Sequence, residues 1–451
     1  MKTYAKFHMR SRKMFLLLML VLLYPATGHS LDNTYWNTQL GFQFYPPGAR
    51  ALGMGGAFVG IADDATAAVS NPAGIAQLTH MQLAIEGRYV STDSTGKAFS
   101  WTTENGNRAI QKASSDVHDA TDVSFGAFTT PLFNNLFNIS LFYDKPMSFS
   151  VNKRAARESQ GLGEFQPSST DITINEAGLS VARSFFDGKL MLGGGLGVQF
   201  LDMQQSAVGF IIDNQAPTGF SRYFKRSVDE SEVGVSYRGG ILVKPIDNLR
   251  LGASYTSMPS FDYQIRQDFV EGGRQSFNSE FDVPDNLSFG AAYNIFPNWV
   301  VLFEGRYIMY SQLEKNLTIP IAYPDAPVDI HGFRILSSRS DYSIDNILEI
   351  HFGTEYVLNA IQNVPIALRA GFFYEPAHDL EYTKPSVIPD GLNRPRNQLN
   401  NIEANLFDGG EALWHFTFGT GAVFFNHFQV DVGADITDKS QNVALSMVYQ
   451  F

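Results

Sequence analysis

The chain has 451 residues, a net charge of −12 at pH 7 and no cysteine. The lack of cysteine excludes disulfide scaffolds, thiolate metal sites and cysteine nucleophiles, and the acidic balance argues against nucleic acid as a partner. Aromatic residues reach 13%, glycines number 39 and charged residues make up only 17%. This composition is typical of many strands that have one face in lipid.

The first thirty residues have the order of a secretory leader. Basic residues stand within positions 2–13, an apolar run follows over Met14–Leu23, and small residues appear at Gly28 and Ser30. The run has about ten residues where a membrane-spanning helix needs about 20, which argues against a retained anchor helix. We therefore predict a signal peptide over 1–30, cut after Ser30. Because it carries five basic and no acidic residues, the mature chain would have a net charge of about −17.

Residues 31–81 show no strand-like alternation. They contain Tyr45-Pro46-Pro47-Gly48, a glycine-rich run over 53–57 and a helix stop at Asn71-Pro72-Ala73-Gly74. If the following region is a closed barrel, this segment must hang below it or fold into its lumen. Its small apolar composition favours the lumen. We therefore predict that 31–81 form an N-terminal hatch that plugs the barrel.

From Gln82 to the C-terminus, polar and apolar residues alternate in segments of the length that a tilted strand needs to cross a membrane. This pattern predicts an all-β fold over 82–451, a transmembrane antiparallel β-barrel of about 14 strands. The predicted strands are 82–90, 122–130, 137–150, 170–184, 189–205, 231–244, 249–262, 283–295, 299–313, 343–357, 364–375, 412–424, 428–438 and 441–451.

The connections alternate in length, with short turns such as 186–188 and 296–298 and long loops such as 91–121 and 314–342. In outer-membrane barrels the short turns face the periplasm and the long loops face outward. A soluble β-sandwich would also give many strands, but it predicts no such rhythm. The pattern thus indicates a bacterial outer membrane protein, with outer-membrane lipid as a partner.

Charged residues recur on one face of the predicted strands. A charge that faces lipid costs a few kcal/mol near the midplane, so these side chains should face the lumen, where opposite charges should pair. The predicted polar lining is Glu86, Arg88, Arg238, Glu304, Arg306, Glu349, His351, Glu355, Arg369, Asp431 and Asp435.

The last strand ends on an aromatic residue. Val443, Leu445, Met447, Tyr449 and Phe451 share one face. An aromatic C-terminus preceded by apolar residues at every second position resembles the signal by which the outer-membrane assembly machinery recognises its clients. We expect that machinery to be a partner.

The predicted third strand, 137–150, contains Tyr143-Asp144-Lys145-Pro146. Proline has no backbone N–H to donate to a neighbouring strand, so the strand must bulge or open at Pro146. The alternative is that the strand ends there.

An apolar stretch occurs in the predicted loop 206–230, at Phe210-Ile211-Ile212. It could form a surface groove for a hydrophobic ligand, or it could extend the fifth strand. Lys315, just after another predicted strand, could meet a ligand carboxylate.

The N-terminal segment resembles a known family. Residues 48–59, followed by Ala62-Asp63-Asp64-Ala65 and Asn71-Pro72-Ala73-Gly74, are similar to the N-terminal region of the FadL/TodX family of outer-membrane transporters. Weaker similarity continues at Val283-Pro284-Asp285 and Tyr310-Ser311-Gln312-Leu313. The resemblance implies a hatch that plugs a fourteen-stranded barrel and substrates such as long-chain fatty acids or aromatic hydrocarbons.

In that family the Asn-Pro-Ala motif packs into a kink in the third strand, and ligand leaves sideways into the membrane. By resemblance, Asn71, Pro72 and Ala73 should lie against Asp144, Lys145 and Pro146. Unpaired backbone groups there would need a partner, because each costs several kcal/mol in a membrane. We therefore expect the motif to seal the kink from inside.

Three functions remain open. The first is a channel that takes up fatty acids, alkanes or aromatic hydrocarbons, with lateral release through the third strand. The second is a general diffusion porin, against which a filled lumen argues. The third is a non-transporting barrel that serves as a protein shuttle or scaffold in secretion or surface attachment. The histidines show no metal-ligand spacing and no nucleotide-binding loop is evident, so we expect no enzyme activity, cofactor or metal.

Overall fold

The computed structural model describes residues 44, 46–96, 99–102, 108–111, 114–133, 135–159, 162–212, 221–269, 272–314, 320–322, 335–337, 342–361, 364–382 and 409–451. The predicted signal peptide and Lys315 lie outside these residues. Among the described residues, no helix combines the length and the apolar composition that a membrane-spanning helix needs.

Fourteen antiparallel strands form a closed ring in the described part of the chain. They are β1 (Gln82–Gly96), β2 (Ser114–Leu132), β3 (Phe137–Ser159), β4 (Leu162–Phe185), β5 (Leu190–Ile212), β6 (Ser221–Ile246), β7 (Leu249–Ser257), β8 (Asn286–Phe296), β9 (Trp299–Ile308), β10 (Ile347–Ile361), β11 (Val364–Glu375), β12 (Leu413–Phe424), β13 (Phe428–Ile436) and β14 (Ser440–Gln450). The first strand pairs with the last, from Gln82 with Gln450 to Thr92 with Ser440. The predicted fourteen-stranded barrel is confirmed.

Alternation of side chains explains why each strand sits in this wall. In β4, Ser180 and Ala182 are buried inside, whereas Leu179 and Val181 are exposed on the outside. Successive side chains of a strand point to opposite faces, so one strand can offer lipid an apolar surface while its other face stays in the lumen.

Short turns join the strands at one end of the barrel, and the longer connections lie at the other end. The short end includes residues 186–189 and 425–427, and it is the periplasmic end by the usual rule for such barrels. At the outer end, the strands Ser260–Phe269 and Arg274–Asp282 form a hairpin between β7 and β8, which also pairs with β6. Shorter outer pairings join Phe99–Thr102 with Arg108–Gln111, Pro320–Ala322 with Ile335–Ser337, and Tyr342–Ser343 with Glu381–Tyr382.

Residues 46–81, the inner segment, lie inside the barrel. The segment contains α1 (Ala49–Gly53), α2 (Ala67–Ser70) and a 3-10 helix over Pro72–Gln77. Its backbone touches the wall at glycines: a Cβ atom added at Gly193 would lie 2.4 Å from the backbone of Pro72 and Ala73. Such close approach is possible only where the wall lacks side chains.

The wall is interrupted beside β3. Pairing of β3 with β4 shifts register between Asp144 and Met147, so Lys145 and Pro146 form a bulge. Pairing of β3 with β2 runs from Leu132 with Phe137 to Phe125 with Asp144, and the structure records no β2–β3 pairs beyond that point in the described residues. Strand β3 itself continues to Ser159, longer than the predicted 137–150, so the alternative that the strand ends at Pro146 is wrong.

Candidate functional site

Charged side chains of the wall hold the inner segment by its backbone. The Glu304 carboxylate accepts hydrogen bonds from the N–H groups of Phe58 (2.8 Å) and Val59 (2.9 Å). Arg306 donates to the carbonyl oxygens of Phe44 (2.8 Å) and Gly56 (3.3 Å), and it also pairs with Glu304. Because short helical turns leave many backbone groups unpaired, these wall residues supply the missing partners.

A second group of charges joins the inner segment to β10–β13. Arg50 donates two hydrogen bonds of 2.9 Å to Glu355 and pairs with Asp63. Arg369 pairs with Glu355 (2.6 Å) and Asp431 (2.8 Å). This alternating network keeps each buried charge next to one of opposite sign, as burial requires.

The residues predicted to line the lumen all lie inside the barrel. All are buried except Arg88, whose side chain is partly exposed and pairs with Glu86 at 2.8 Å. Two further contacts join His351 to Glu349 and His415 to Asp435. Sequence reasoning missed His415 and Glu176; both stand on the inward phase of strands that were correctly located.

The predicted contact between the Asn-Pro-Ala motif and the bulge is wrong. The Asn71 amide donates to the carbonyl oxygens of Val59 (2.9 Å) and Ile241 (3.2 Å), and Pro72 and Ala73 rest on Gly193 and Gly240.

The register of the strands shows that the Asn-Pro-Ala motif lies far from the bulge. Gly193 and Gly240 are level with Asn138 of β3, and Pro146 lies eight residues further along that strand, roughly 26 Å away. Close backbone packing needs a wall free of Cβ atoms, and β5 and β6 provide it.

The outer half of the lumen is lined by apolar side chains, which we call the outer apolar cluster. Its members are buried and come from β3–β6, β9, β10, the outer hairpin and adjoining coil. They include Met147, Ile174, Met203, Phe261, Phe281 and Tyr310. Met147 follows Pro146 directly, so the cluster reaches the interrupted part of the wall.

A reversal of polarity within single strands marks this cluster. In β4, Ile172 and Ile174 are buried inside, while Asp171 faces outward; lower in the same strand, Leu179 faces outward and Ser180 inward. The wall therefore leaves the lipid near the middle of β4, and above that level its inner face becomes apolar. This reversal is visible in the sequence.

Two segments that resemble the FadL/TodX family in sequence, 283–285 and 310–313, meet below the outer hairpin. The Asp285 carboxylate accepts hydrogen bonds from the Tyr255 hydroxyl (2.7 Å) and from the side-chain amide of Gln312 (3.1 Å). The backbone N–H of Asp285 donates to the side-chain oxygen of Gln312 (2.7 Å). These bonds position Tyr310, which stacks on His378.

Side chains bridge the interrupted part of the wall. Lys145 Nζ lies 2.9 Å from Asp122 Oδ2, and Ser148 Oγ lies 3.4 Å from the same oxygen. Since the structure records no backbone pairing between β2 and β3 at this level of the described wall, these contacts join the two edges through side chains.

A buried polar layer separates the outer apolar cluster from the inner segment. Glu176 accepts hydrogen bonds from Gln199 (3.1 Å), Ser236 (2.7 Å) and Arg238 (2.6 Å). The Arg238 guanidinium also lies 4.7 Å from the centre of the Phe142 ring. A hydrocarbon that moved down the barrel axis would have to displace this buried ion pair and its polar neighbours, which is unfavourable.

A polar cavity of about 270 Å³ lies at the periplasmic end, between the inner segment and β10–β14. Arg50, Asp63, Asp64, Glu355 and Asp431 contribute to its lining. Burial raises the pKa of the Asp64 carboxyl, and Arg50 partly offsets the effect. Such a lining suits water rather than a hydrophobic compound. Among the described residues, no group of three or more His, Asp or Glu side chains could hold a metal ion.

The predicted ligand groove is only partly described. Phe210, Ile211 and Ile212 belong to β5 and pair with Tyr223, Arg222 and Ser221 of β6. The backbone therefore follows the alternative of an extended strand. A role for their side chains in ligand binding stays a prediction.

Comparison with known proteins gives one family match. A family model described as outer membrane protein transport protein (OMPP1/FadL/TodX) matches residues 41–392. No curated protein matches the sequence significantly.

Solved structures share the fold at low sequence identity. The crystal structure of a Pseudomonas aeruginosa FadL homologue is 15% identical, with a TM-score of 0.65 over 90% of this chain and 99% of that chain. The Pseudomonas putida toluene transporter TodX is 15% identical, with a TM-score of 0.57 over 91% and 99%. The Ralstonia pickettii toluene transporter TbuX is 14% identical, with a TM-score of 0.57 over 91% and 100%.

Proposed function

The chain belongs to the OMPP1/FadL/TodX family of outer membrane transport proteins, and on this premise we propose that it takes up hydrophobic small molecules and releases them sideways into the membrane between β2 and β3. Its membership makes it a channel for hydrophobic substrates rather than an enzyme. Fatty acids, alkanes and aromatic hydrocarbons are the proposed substrates. The structures of similar fold include toluene transporters.

The observation that carries the lateral route is the position of the wall interruption. It begins at Asp144, and Met147 of the outer apolar cluster stands directly beside it. A hydrophobic molecule in the cluster would thus reach the border of the lipid-facing surface without crossing the polar layer. Transfer of apolar surface through water or past charges costs free energy in proportion to its area, so this route is favoured.

The inner segment acts as a plug in this proposal. It is fixed to the wall by Glu304, Arg306 and the Arg50 network, and it lies below the polar layer. A plugged barrel passes few hydrated solutes, which argues against a general porin. A scaffold role in secretion would need neither the apolar cluster nor the wall interruption.

A reversible crosslink across the interruption tests the proposal. The natural chain has no cysteine, so a pair introduced as Asp122→Cys/Ser148→Cys would join the edges at the point where their side-chain oxygens lie 3.4 Å apart. We expect the oxidised protein to lose uptake of a labelled fatty acid, an alkane and toluene in liposomes or cells. A reductant should restore it.

The matched control is Thr129→Cys/Ser140→Cys. These residues are a register pair of the same two strands below the interruption, with their hydroxyls 2.7 Å apart. A crosslink there should leave uptake unchanged. Normal uptake by the oxidised 122/148 protein would refute lateral release. If cells that lack the protein took up every compound equally well, the scaffold hypothesis would be favoured.

A further inference from the structure

The short periplasmic turns carry exposed phenylalanines at their tips. Phe133, Phe186 and Phe425 are 77%, 74% and 90% exposed, more than most residues on the lipid-facing wall. In each case a polar residue follows in the sequence: Asn134, Asp187 and Asn426. A large apolar side chain at the tip of a turn that would stand in water is unusual, because burial of such a ring is favourable.

The same three phenylalanines have a costly backbone conformation. Their φ angles are +51°, +53° and +55°, in the left-handed region. In the turn at β12–β13, His427 N–H donates to Phe424 O at 3.1 Å, and Phe425 and Asn426 both have positive φ, as in a type I′ turn. Glycine and asparagine usually fill such positions, and a bulky residue there is strained. Neither the turn geometry nor any contact recorded among the described residues explains the choice of phenylalanine.

Three of the short periplasmic turns share this feature. At two others, the exposed residues Ile246 and Phe296 end their strands, so the border of the lipid-facing wall is apolar there as well. By contrast, the short outer turn between β13 and β14 is Thr437-Asp438-Lys439, which is polar.

The tips also lie at a defined level. Gln450 N–H donates to His427 O at 2.8 Å, so the turn that carries Phe425 stands beside the end of β14. Tyr449 and Phe451 form the lower end of the lipid-facing surface there and pack edge to face, with centroids 4.9 Å apart. The Phe425 tip therefore continues the lipid-facing surface just beyond its aromatic border, and Phe133 and Phe186 stand in turns at the same end of the barrel.

We propose that these phenylalanine tips insert into the head-group layer of the periplasmic leaflet and anchor the barrel at a fixed depth. A lipid surface fits the observations because the Phe425 turn stands beside the aromatic border of the lipid-facing wall, and the exposed apolar surface of that wall continues into these turns. Aromatic rings are favourable at such interfaces, which offsets the strained turn conformation. The proposal does not depend on what the barrel transports.

Depth-dependent fluorescence quenching tests the anchor. In a variant with the four native tryptophans replaced by phenylalanine, Phe133→Trp, Phe186→Trp and Phe425→Trp would be made singly and reconstituted in phospholipid nanodiscs. We expect blue-shifted emission at each tip and strong quenching by lipids brominated near the head-group end of the acyl chain. The control is Asp229→Trp, exposed on β6 at the level of Asp171, where the wall has left the lipid; it should emit as in water and resist these lipids.

A stability comparison covers the case in which a tryptophan variant fails to assemble. Phe133→Asn/Phe186→Asn/Phe425→Asn relieves the strain, since asparagine tolerates the left-handed region. In phospholipid bilayers the triple variant should unfold at a lower urea concentration than the native barrel. Water-like emission at all three tips, or equal or greater bilayer stability of the triple variant, would overturn the proposal.

Discussion

Lys145 and Asp122 face each other across the part of the wall where β2 and β3 are not paired, with 2.9 Å between Nζ and Oδ2. The Asp122 side chain is partly exposed, so the ion pair is worth only about 0–1 kcal/mol. We expect Asp122→Asn to raise the initial rate of uptake, by at most about fivefold, because the edges would separate more easily. The charge swap Asp122→Lys/Lys145→Asp should return the rate toward that of the native protein. Unchanged uptake in both variants would show that the pair does not control the opening.

Glu304 is the residue whose loss should free the inner segment. Its carboxylate serves two backbone N–H groups and Arg306, all of them buried. Removal of one partner from such a group costs about 3–5 kcal/mol. Glu304→Ala should therefore loosen the plug and increase the swelling of proteoliposomes in small sugars. Asp229→Asn, at an exposed site, serves as the control and should swell as the native protein does.

Along β4, the polar and the apolar face exchange sides: the inner face is polar at the level of the membrane and apolar further out. Ile174 is buried in the outer apolar cluster, whereas its neighbour Thr173 faces the other way. Ile174→Asn would place an amide among apolar side chains and cost about 1–3 kcal/mol. We expect uptake to fall on the order of tenfold, with assembly intact in a heat-modifiability gel assay. Thr173→Asn should leave uptake unchanged, and equal effects of the two variants would contradict a role for the cluster.

The strands could be predicted from sequence because period-two alternation is a local property. For the same reason the bulge at Pro146 was predictable: a missing N–H needs no knowledge of the partner strand. The partner of Asn71 was not, since contact with Ile241 depends on which wall positions lack a Cβ atom, and those glycines are far away in sequence. The outer apolar cluster was missed although the polarity reversal at Ile174 and Leu179 is present in the sequence, because every strand was assumed to keep one polar inner face throughout.

In the whole molecule, the buried polar layer divides the lumen into compartments of different chemistry, and one of them adjoins the interrupted wall. The outer compartment is apolar and adjoins the interruption, the inner segment fills the middle, and a charged cavity of about 270 Å³ opens toward the periplasm. A substrate could cross the molecule in two ways: sideways from the outer compartment, or downward after displacement of the inner segment. Only the second requires that segment to move.

A crosslink between the inner segment and the wall distinguishes these routes. Ser180 Oγ donates to the Ala68 carbonyl at 2.7 Å, and both residues are buried. In Ala68→Cys/Ser180→Cys, a disulfide would fix α2 to β4 without touching β2 or the bulge. If substrates leave sideways, the oxidised protein should keep uptake at the native rate, while the oxidised 122/148 pair loses it. Gel mobility with and without reductant would verify each crosslink. Loss of uptake in the 68/180 protein, with normal uptake in the 122/148 protein, would mean that the inner segment must move and that substrates travel down the barrel axis.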